Sequence, residues 1–171
     1  MTEKSKKYLF GAGDDSASTL LSWWKGLEHD RGERAILRRA KTPTEVVFSP
    51  AYHWLLGQLQ QEGYKVNRES LAVAAGLAAH VKEDNEIKNM AEQMASIKAS
   101  GSGARVSDLR FRRLLAVNQR EELYPLMLRV ICLLDGKVNL VSLANAVYWW
   151  NERTRKDWAY DYYKTAPKAE K

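Results

Sequence analysis

The chain has 171 residues, which is enough for one domain with a buried core or for two small lobes. With 45% hydrophobic and 28% charged residues it has a globular composition, and its four prolines and ten glycines are too few for a fold with many turns. A single cysteine excludes an intramolecular disulfide, and no stretch approaches the ~18 apolar residues of a membrane span. These observations favour a cytoplasmic helical protein without a membrane segment.

Helical periodicity and capping residues predict the elements of the first hundred residues. A flexible extension is expected over residues 1–17, followed by an N-terminal lobe over 18–100. Pro50 is suited to the first turn of a helix, and Asn67 is suited to cap one. The helices of this lobe are expected at 18–29, 32–40, 51–61, 68–82 and 86–99.

The glycine- and serine-rich stretch at residues 100–103 is the most linker-like point of the chain and is expected to separate two lobes. The second lobe spans residues 101–164, and a short tail over 165–171 follows it. Ser107 is a candidate N-cap, and Gly136 ends a later helix. The helices of this lobe are expected at 107–117, 120–136 and about 139–163. The predicted fold class is all-α, a compact helical bundle in which two small lobes form one structural unit.

No combination of residues has the spacing of a catalytic or metal-binding site. The three histidines, His29, His53 and His80, fall in different predicted segments without an acidic or cysteine partner at ligand spacing. Cys132 lies in the apolar run LRVICLLDG and is expected to be a buried, unreactive thiol. We therefore expect no enzymatic activity, no cofactor and no metal site.

The net charge of +6 is concentrated in the second lobe. Residues 1–100 carry 14 lysines and arginines against 13 acidic residues, whereas residues 101–171 carry 13 against 8. Five arginines share one acidic neighbour, Asp108, and they are Arg105, Arg110, Arg112, Arg113 and Arg120. This asymmetry predicts a polyanionic partner, and nucleic acid is favoured over a membrane because neither terminus carries a basic amphipathic helix. A solvated basic face without a partner is the alternative.

The helix predicted over 107–117 separates apolar from basic residues. Its apolar side chains share one side, and the opposite side consists of Arg110, Arg112 and Arg113. Arg105 precedes the helix and extends the basic strip. Arginine suits phosphate because its planar guanidinium donates two parallel hydrogen bonds.

The helix predicted over 139–163 is apolar on one side and both aromatic and cationic on the other. Its apolar side consists of Leu140, Leu143, Ala144, Val147, Trp158 and Tyr162. Its opposite side consists of Trp149, Arg153, Lys156, Tyr160 and Lys164. Rings among cations combine stacking with charge neutralisation, which holds single-stranded nucleic acid without reading its sequence. In the alternative, Trp149 or Trp150 packs against the preceding helix and Arg153 pairs with a nearby carboxylate.

Three stretches of the chain carry a resemblance to a known family, and the match spans roughly residues 18–163. They are LSWWKGLEHDRGERAILRRAKTPTEVVFSPAYHWLL, GSGARVSDLRFRRLLAVNQREEL and WWNERTRKDWAYDYY. The tryptophan helix, the basic segment before a proline turn, the spaced arginines and the aromatic closing helix resemble CasB, the small subunit of type I-E CRISPR Cascade. The N-terminal extension and the arginine spacing around Phe111 depart from the family pattern.

The resemblance implies an all-helical, two-lobe protein without catalytic activity, present as two copies in an RNA-guided surveillance complex. Its partners would be the large subunit, the backbone subunits, the crRNA, and the target and non-target DNA strands. Members of the family hold the displaced strand, which stabilises the R-loop in antiviral defence. The matching basic positions are Arg38, Arg39, Arg105, Arg110, Arg113, Arg153 and Lys156, with Arg112, Arg120 and Arg155 matching less closely.

Two other classes of function stay open. A helical DNA-binding regulator would place the arginine helix in a major groove, although the start of that helix offers few Asn or Gln side chains for base readout. A protein-binding scaffold without nucleic-acid contact would use the aromatic residues as anchors. A preference for single-stranded over duplex DNA distinguishes the CasB function from the regulator, and charge reversal of the arginines distinguishes both from the scaffold.

Overall fold

The structure is a computed structural model that describes residues 8–168, so parts of the predicted extension and tail lie outside it. The helices in this range are α1 (Asp15–Leu27), α2 (Arg31–Arg39), α3 (Pro43–Val47), α4 (Pro50–Gln61), α5 (Arg68–Ala78), α6 (Met90–Ala95), α7 (Asp108–Leu115), α8 (Arg120–Leu133), α9 (Leu140–Tyr148) and α10 (Glu152–Thr165). The strands are β1 (Glu83–Asp84) and β2 (Lys137–Val138). The predicted all-α fold class is confirmed. None of the described helices is long and apolar enough to cross a membrane.

Polar residues at helix starts explain most of the boundaries. In the described range, eight of the ten helices follow a side chain that accepts a backbone N–H of the first turn. The predicted caps Asn67 and Ser107 are confirmed, with acceptor distances of 3.0 and 3.3 Å. Thr42 caps the five-residue α3, which lies in a stretch expected to be a turn. Short polar side chains therefore set where the helices start.

A single hydrophobic core runs through both predicted lobes. α5 lies at its centre, since every residue from 70 to 79 is buried. α5 packs against α9 and α6 packs against α10, so helices from both sides of residue 100 are in direct contact. Gly76 in α5 has no room for a side chain, because a Cβ there would lie 2.7 Å from the hydroxyl oxygen of Tyr124. The division into lobes at residue 100 stays a prediction.

Residues 86–99 are helical only over Met90–Ala95, whereas the sequence predicts one longer helix. The backbone becomes extended at Ser96, with ψ at 153°. It then forms a tight hairpin in which the N–H of Lys98 donates to the carbonyl of Gly103 at 3.0 Å. The glycine-rich stretch is thus the exposed tip of a hairpin.

Leu9 and Phe10 before α1 are packed, whereas the sequence predicts a flexible extension over residues 1–17, of which the structure describes 8–17. Leu9 and Phe10 are buried, with exposed fractions of 2% and 1%. The ring of Phe10 contacts that of Tyr148 edge-on at a centroid distance of 5.9 Å. We call residues 8–10 the N-terminal strap, because they lie against the end of α9.

The loops after α5 and α8 are joined by a short parallel pair of strands that the sequence does not predict. Glu83 of β1 is paired with Lys137 of β2. Gly136 has a φ of 72° and follows the end of α8, as predicted. The prediction of a buried Cys132 is wrong, because α8 turns Ile131 into the core and leaves the next position exposed.

Candidate nucleic-acid interface

The C-terminal helix predicted over 139–163 is two helices, α9 and α10, separated at residues 149–151. Asn151 starts α10 by accepting the backbone N–H of Thr154 at 2.9 Å, and Thr154 Oγ1 donates to the carbonyl of Trp149 at 2.6 Å. These local side-chain bonds take the place of bonds that a continuous helix would make. The prediction of a single helix is therefore wrong, and one helical projection cannot be carried across the break.

Trp149 is packed against the N-terminal strap. Its indole N–H donates to the carbonyl of Leu9 at 2.8 Å, and its ring stacks on Tyr8 with centroids 4.6 Å apart. Trp150 is buried and donates to the carbonyl of Val117 at 2.8 Å. The structure agrees with the alternative in which these tryptophans pack, although their partners are the strap and Val117. Trp149 is therefore engaged by the strap, and its stacking partner Tyr8 lines a cleft together with Arg153 of α10.

The remaining predicted residues of the aromatic and cationic side lie together on the outward side of α10. At spacings of three or four, the exposed residues are Arg153, Lys156, Tyr160 and Lys164. The Lys156 ammonium pairs with Glu152 at 3.3 Å, and the two side chains are 68% and 76% exposed, so the pair is weak. Arg153 forms no ion pair with any residue in the range 8–168. These cations are open to an external anion.

α7 lies beside α10 and is held there by aromatic contacts. Phe111 stacks on Tyr162 with centroids 3.9 Å apart, and both are buried, as predicted. The Tyr163 hydroxyl donates to Asp108 Oδ1 at 2.5 Å, and Asp108 also pairs with Arg112 at 3.1 Å. The buried stack therefore leaves the arginine side of α7 at the surface next to α10.

The exposed residues of α7 and α10 form one candidate surface. Arg110 and Arg113 have no acidic partner among the residues that the structure describes. We call this surface the open face, and its residues are Arg110, Arg112, Arg113, Arg153, Lys156 and Tyr160. Two of its cations have a partner one turn away on the same helix, and the other three have none in the described range.

Two further predicted arginines donate to carbonyl groups at helix ends, where the last carbonyls have no partner within the helix. Arg120 donates to the carbonyls of Val147 at 3.3 Å and Tyr148 at 2.7 Å, which are the last two residues of α9. Arg155 donates to the carbonyl of Leu115, the last residue of α7, at 3.1 Å. The guanidinium of Arg120 is partly withdrawn from water, and this burial lowers its pKa.

Arg105 and Arg38 make similar contacts. Arg105 donates to the last carbonyl of α8 at 3.4 Å and pairs with Asp135 at 2.9 Å. Arg38 Nε donates at 2.8 Å to the carbonyl of Ala79, just after α5. Arg39 is exposed, and its side chain forms no ion pair in the described range. The sequence predicts that all of these arginines bind nucleic acid, whereas four of them have an acceptor within the protein.

The sequence profile of the CRISPR-associated protein Cse2 matches residues 33–163. The chain belongs to this family, also called CasB. A chain in the crystal structure of E. coli Cascade bound to a PAM-containing double-stranded DNA target has a similar fold, with a TM-score of 0.64, 20% identity, and coverage of 87% of this chain and 94% of that one. CasB from Thermus thermophilus also has a TM-score of 0.64 and 20% identity, over 86% of this chain and 97% of that one. No curated protein matches this Cse2 chain.

Sequence reasoning missed a second group of cations in this Cse2 protein. Arg31 and Arg34 lie with Arg38 on one side of α2, and these three residues line a shallow cleft. Their spacing of three and four residues was the available signal. Lys82 and His80 are distant from Arg38 in the sequence and line a cleft with it only in the folded protein. Within residues 8–168, no group of three or more His, Cys, Asp or Glu side chains could hold a metal ion.

Proposed function

We propose that this Cse2 protein is the non-catalytic small subunit of a type I-E Cascade complex and holds nucleic acid on its open face without reading the sequence. The strand held is the displaced non-target DNA, which stabilises the R-loop in antiviral defence. The observation that carries the proposal is the open face itself. Its cations lie on two adjacent helices, and their ion-pair partners in the described range are exposed carboxylates one turn away.

The chemistry of the open face fits a single strand. Arg110 and Arg113 can each donate two parallel hydrogen bonds to a phosphate. Tyr160 is 77% exposed and offers a ring on which a base can stack. Exchanging a DNA duplex for an RNA–DNA heteroduplex is nearly balanced in free energy, so contacts to the backbone can shift the exchange.

The other predicted residues would act differently. Arg39 on α2 is exposed and is proposed as an additional phosphate contact. Four residues donate to backbone carbonyls and are proposed to stabilise the fold without contacting nucleic acid, and these are Arg105, Arg120, Trp149 and Arg155.

The partners that we propose are those of a Cascade subunit: the large subunit, the backbone subunits, the crRNA, both DNA strands and a second copy of this chain. The similar E. coli chain comes from a complex that contains a double-stranded DNA target, which supports a position near DNA. We propose that the protein works in the cytoplasm without a cofactor or metal, and that it catalyses no reaction.

The test compares target binding by assembled complexes that carry different Cse2 variants. Arg153→Gln with Lys156→Gln removes two cations from the open face. Lys25→Gln with Lys65→Gln is the matched control, because both lysines are exposed and lie outside the open face. Each single-strand phosphate contact contributes about 0.7 to the slope of log K against log salt, so the first pair should reduce the slope by about 1.4. The control pair should leave the slope unchanged.

Equal slopes for the two pairs would contradict the proposal. Tighter binding of duplex than of single-stranded DNA by the isolated protein would instead favour the regulator. If both pairs leave all nucleic-acid binding unchanged while the complex still assembles, the protein is a scaffold.

A further inference from the structure

A cleft of about 310 Å³ lies between α2, the residues after α5 and the end of α8. Its lining includes Arg38, His80, Lys82 and Cys132. No residue of α7 or α10 contributes to it, so it is separate from the open face. Of the eight lining residues two are cations and one is a histidine, which makes the cleft a candidate site for an anion.

The cations around this cleft are not neutralised by the protein. Arg38 uses its Nε for the carbonyl of Ala79, which leaves its terminal N–H groups available. Neither Arg38 nor Lys82 forms an ion pair within the described range. Asp135 is the one acidic residue among the lining side chains, and it already pairs with Arg105 at 2.9 Å. The cleft therefore has an excess of positive charge.

The stem of Lys82 is held in place by a glycine. A Cβ at Gly136 would lie 2.8 Å from Lys82 Cγ and 3.0 Å from its Cδ, so the lysine stem lies directly against the glycine backbone. The backbone N–H of Lys82 also donates to the carbonyl of Gly136 at 2.8 Å. These contacts fix the backbone of Lys82 at the edge of the cleft, where its exposed side chain is part of the lining.

One ring nitrogen of His80 forms no hydrogen bond in the described structure. Its Nε2 is buried and has no partner within residues 8–168. Burial, and then the charges of Arg38 and Arg34, lower the pKa of His80, so the ring is neutral near pH 7. A neutral ring protonated on Nε2 has one hydrogen bond to donate, and a rotation of the ring toward the cleft would present it to an oxyanion that neutralises the cations.

We propose that this cleft binds one phosphate group of a nucleic-acid backbone, with Arg38 and Lys82 neutralising its charge and His80 donating a hydrogen bond. The nucleic-acid source of the phosphate rests on the proposed function. A single strand would then contact two separate basic regions of the protein, this cleft and the open face.

Cys132 provides a specific probe, because it is exposed, lines the cleft and is the one cysteine of the chain. The rate at which iodoacetamide alkylates the full-length protein is measured by intact mass with and without a single-stranded oligonucleotide. At about four times the Kd, some 80% of the sites are occupied and alkylation should slow about fivefold. Inorganic phosphate should protect only at much higher concentration, since it lacks the other contacts of a strand.

Variants locate the protecting ligand. Lys82→Gln should remove most of the protection, whereas Lys65→Gln should not, because Lys65 is exposed and lies outside the cleft. Arg38→Gln is a second variant with the same expected loss. Each alkylation rate is compared with the rate of the same variant without oligonucleotide, so altered thiol reactivity does not affect the result.

The outcomes separate this inference from the proposed function. If the oligonucleotide binds, as measured by fluorescence anisotropy, but leaves the alkylation rate unchanged, the cleft proposal fails and the open face stands. Protection that survives both Lys82→Gln and Arg38→Gln also overturns the cleft. Protection by inorganic phosphate without any by the oligonucleotide overturns the nucleic-acid source in favour of a small phosphate ligand. If no oligonucleotide binds at low salt, the proposed function itself fails for the isolated chain.

Discussion

The α9–α10 break and the open face both contain arginine and aromatic residues. At the break these side chains are bonded to the protein, whereas on the open face they are exposed. At the break, Trp149 and Arg120 donate to backbone carbonyls of the strap and of α9. On the open face, Arg153 and Tyr160 are exposed. The comparison shows that a nearby unsatisfied carbonyl, rather than the residue type, determines whether an arginine or aromatic residue is structural or available for binding.

Trp149→Ala should give the largest change in stability. It removes the hydrogen bond to Leu9 and the stack on Tyr8, and we expect the free energy of unfolding to fall by about 3 kcal/mol. Urea denaturation followed by fluorescence measures the change. Trp54→Ala is the control, because Trp54 is 56% exposed and should cost less. A Trp149→Ala protein of normal stability that no longer binds single-stranded DNA would place this ring among the binding residues after all.

Arg120→Gln should have the next largest effect. It removes charged donors from the carbonyls of Val147 and Tyr148, which we expect to lower the free energy of unfolding by about 2 kcal/mol. The matched variant is Arg113→Gln, an exposed position where the change should stay within about 0.5 kcal/mol.

In nucleic-acid binding the order of the two variants should be reversed, so that Arg113→Gln has the larger effect. Single-stranded DNA affinity and its salt slope should decrease for Arg113→Gln and stay unchanged for folded Arg120→Gln. If the two variants weaken binding equally, the distinction between anchored and open arginines does not hold.

Tyr160→Ala should have the smallest effect and should appear only in binding. Loss of one stacking ring should weaken single-stranded DNA binding by about 1 kcal/mol and leave the salt slope unchanged, because stacking releases no counterion. Tyr160→Phe keeps the ring and should bind as the wild type does. Equal losses in the Ala and Phe variants would assign the effect to the hydroxyl group and would exclude stacking.

Local sequence signals predicted much of the fold because they act over a few residues. The caps Asn67 and Ser107 and the buried side chains Trp158 and Tyr162 follow from capping and from helical spacing. The sequence also contained a signal for the α9–α10 break, because Asn151 is a residue type that caps helices and it accepts the N–H of Thr154, three residues later. Projecting an uninterrupted helix hid that signal and did not reveal that Trp149 packs against the strap.

Contacts between distant segments could not be predicted from spacing. The carbonyl that accepts from Trp149 belongs to Leu9, and the one that accepts from Arg38 belongs to Ala79. Cys132 shows a similar limit, because apolar neighbours in the sequence do not reveal which side of a helix meets the core.

The N-terminal strap has a consequence for how the protein is made. The bond between Leu9 and Trp149 joins residues that are 140 positions apart, so almost the entire chain must leave the ribosome before it can form. Closing so long a loop costs entropy, and such distant contacts slow folding. The strap is synthesised long before α9 but is therefore among the last segments to reach its final place, and until then the end of α9 lacks the strap that covers it.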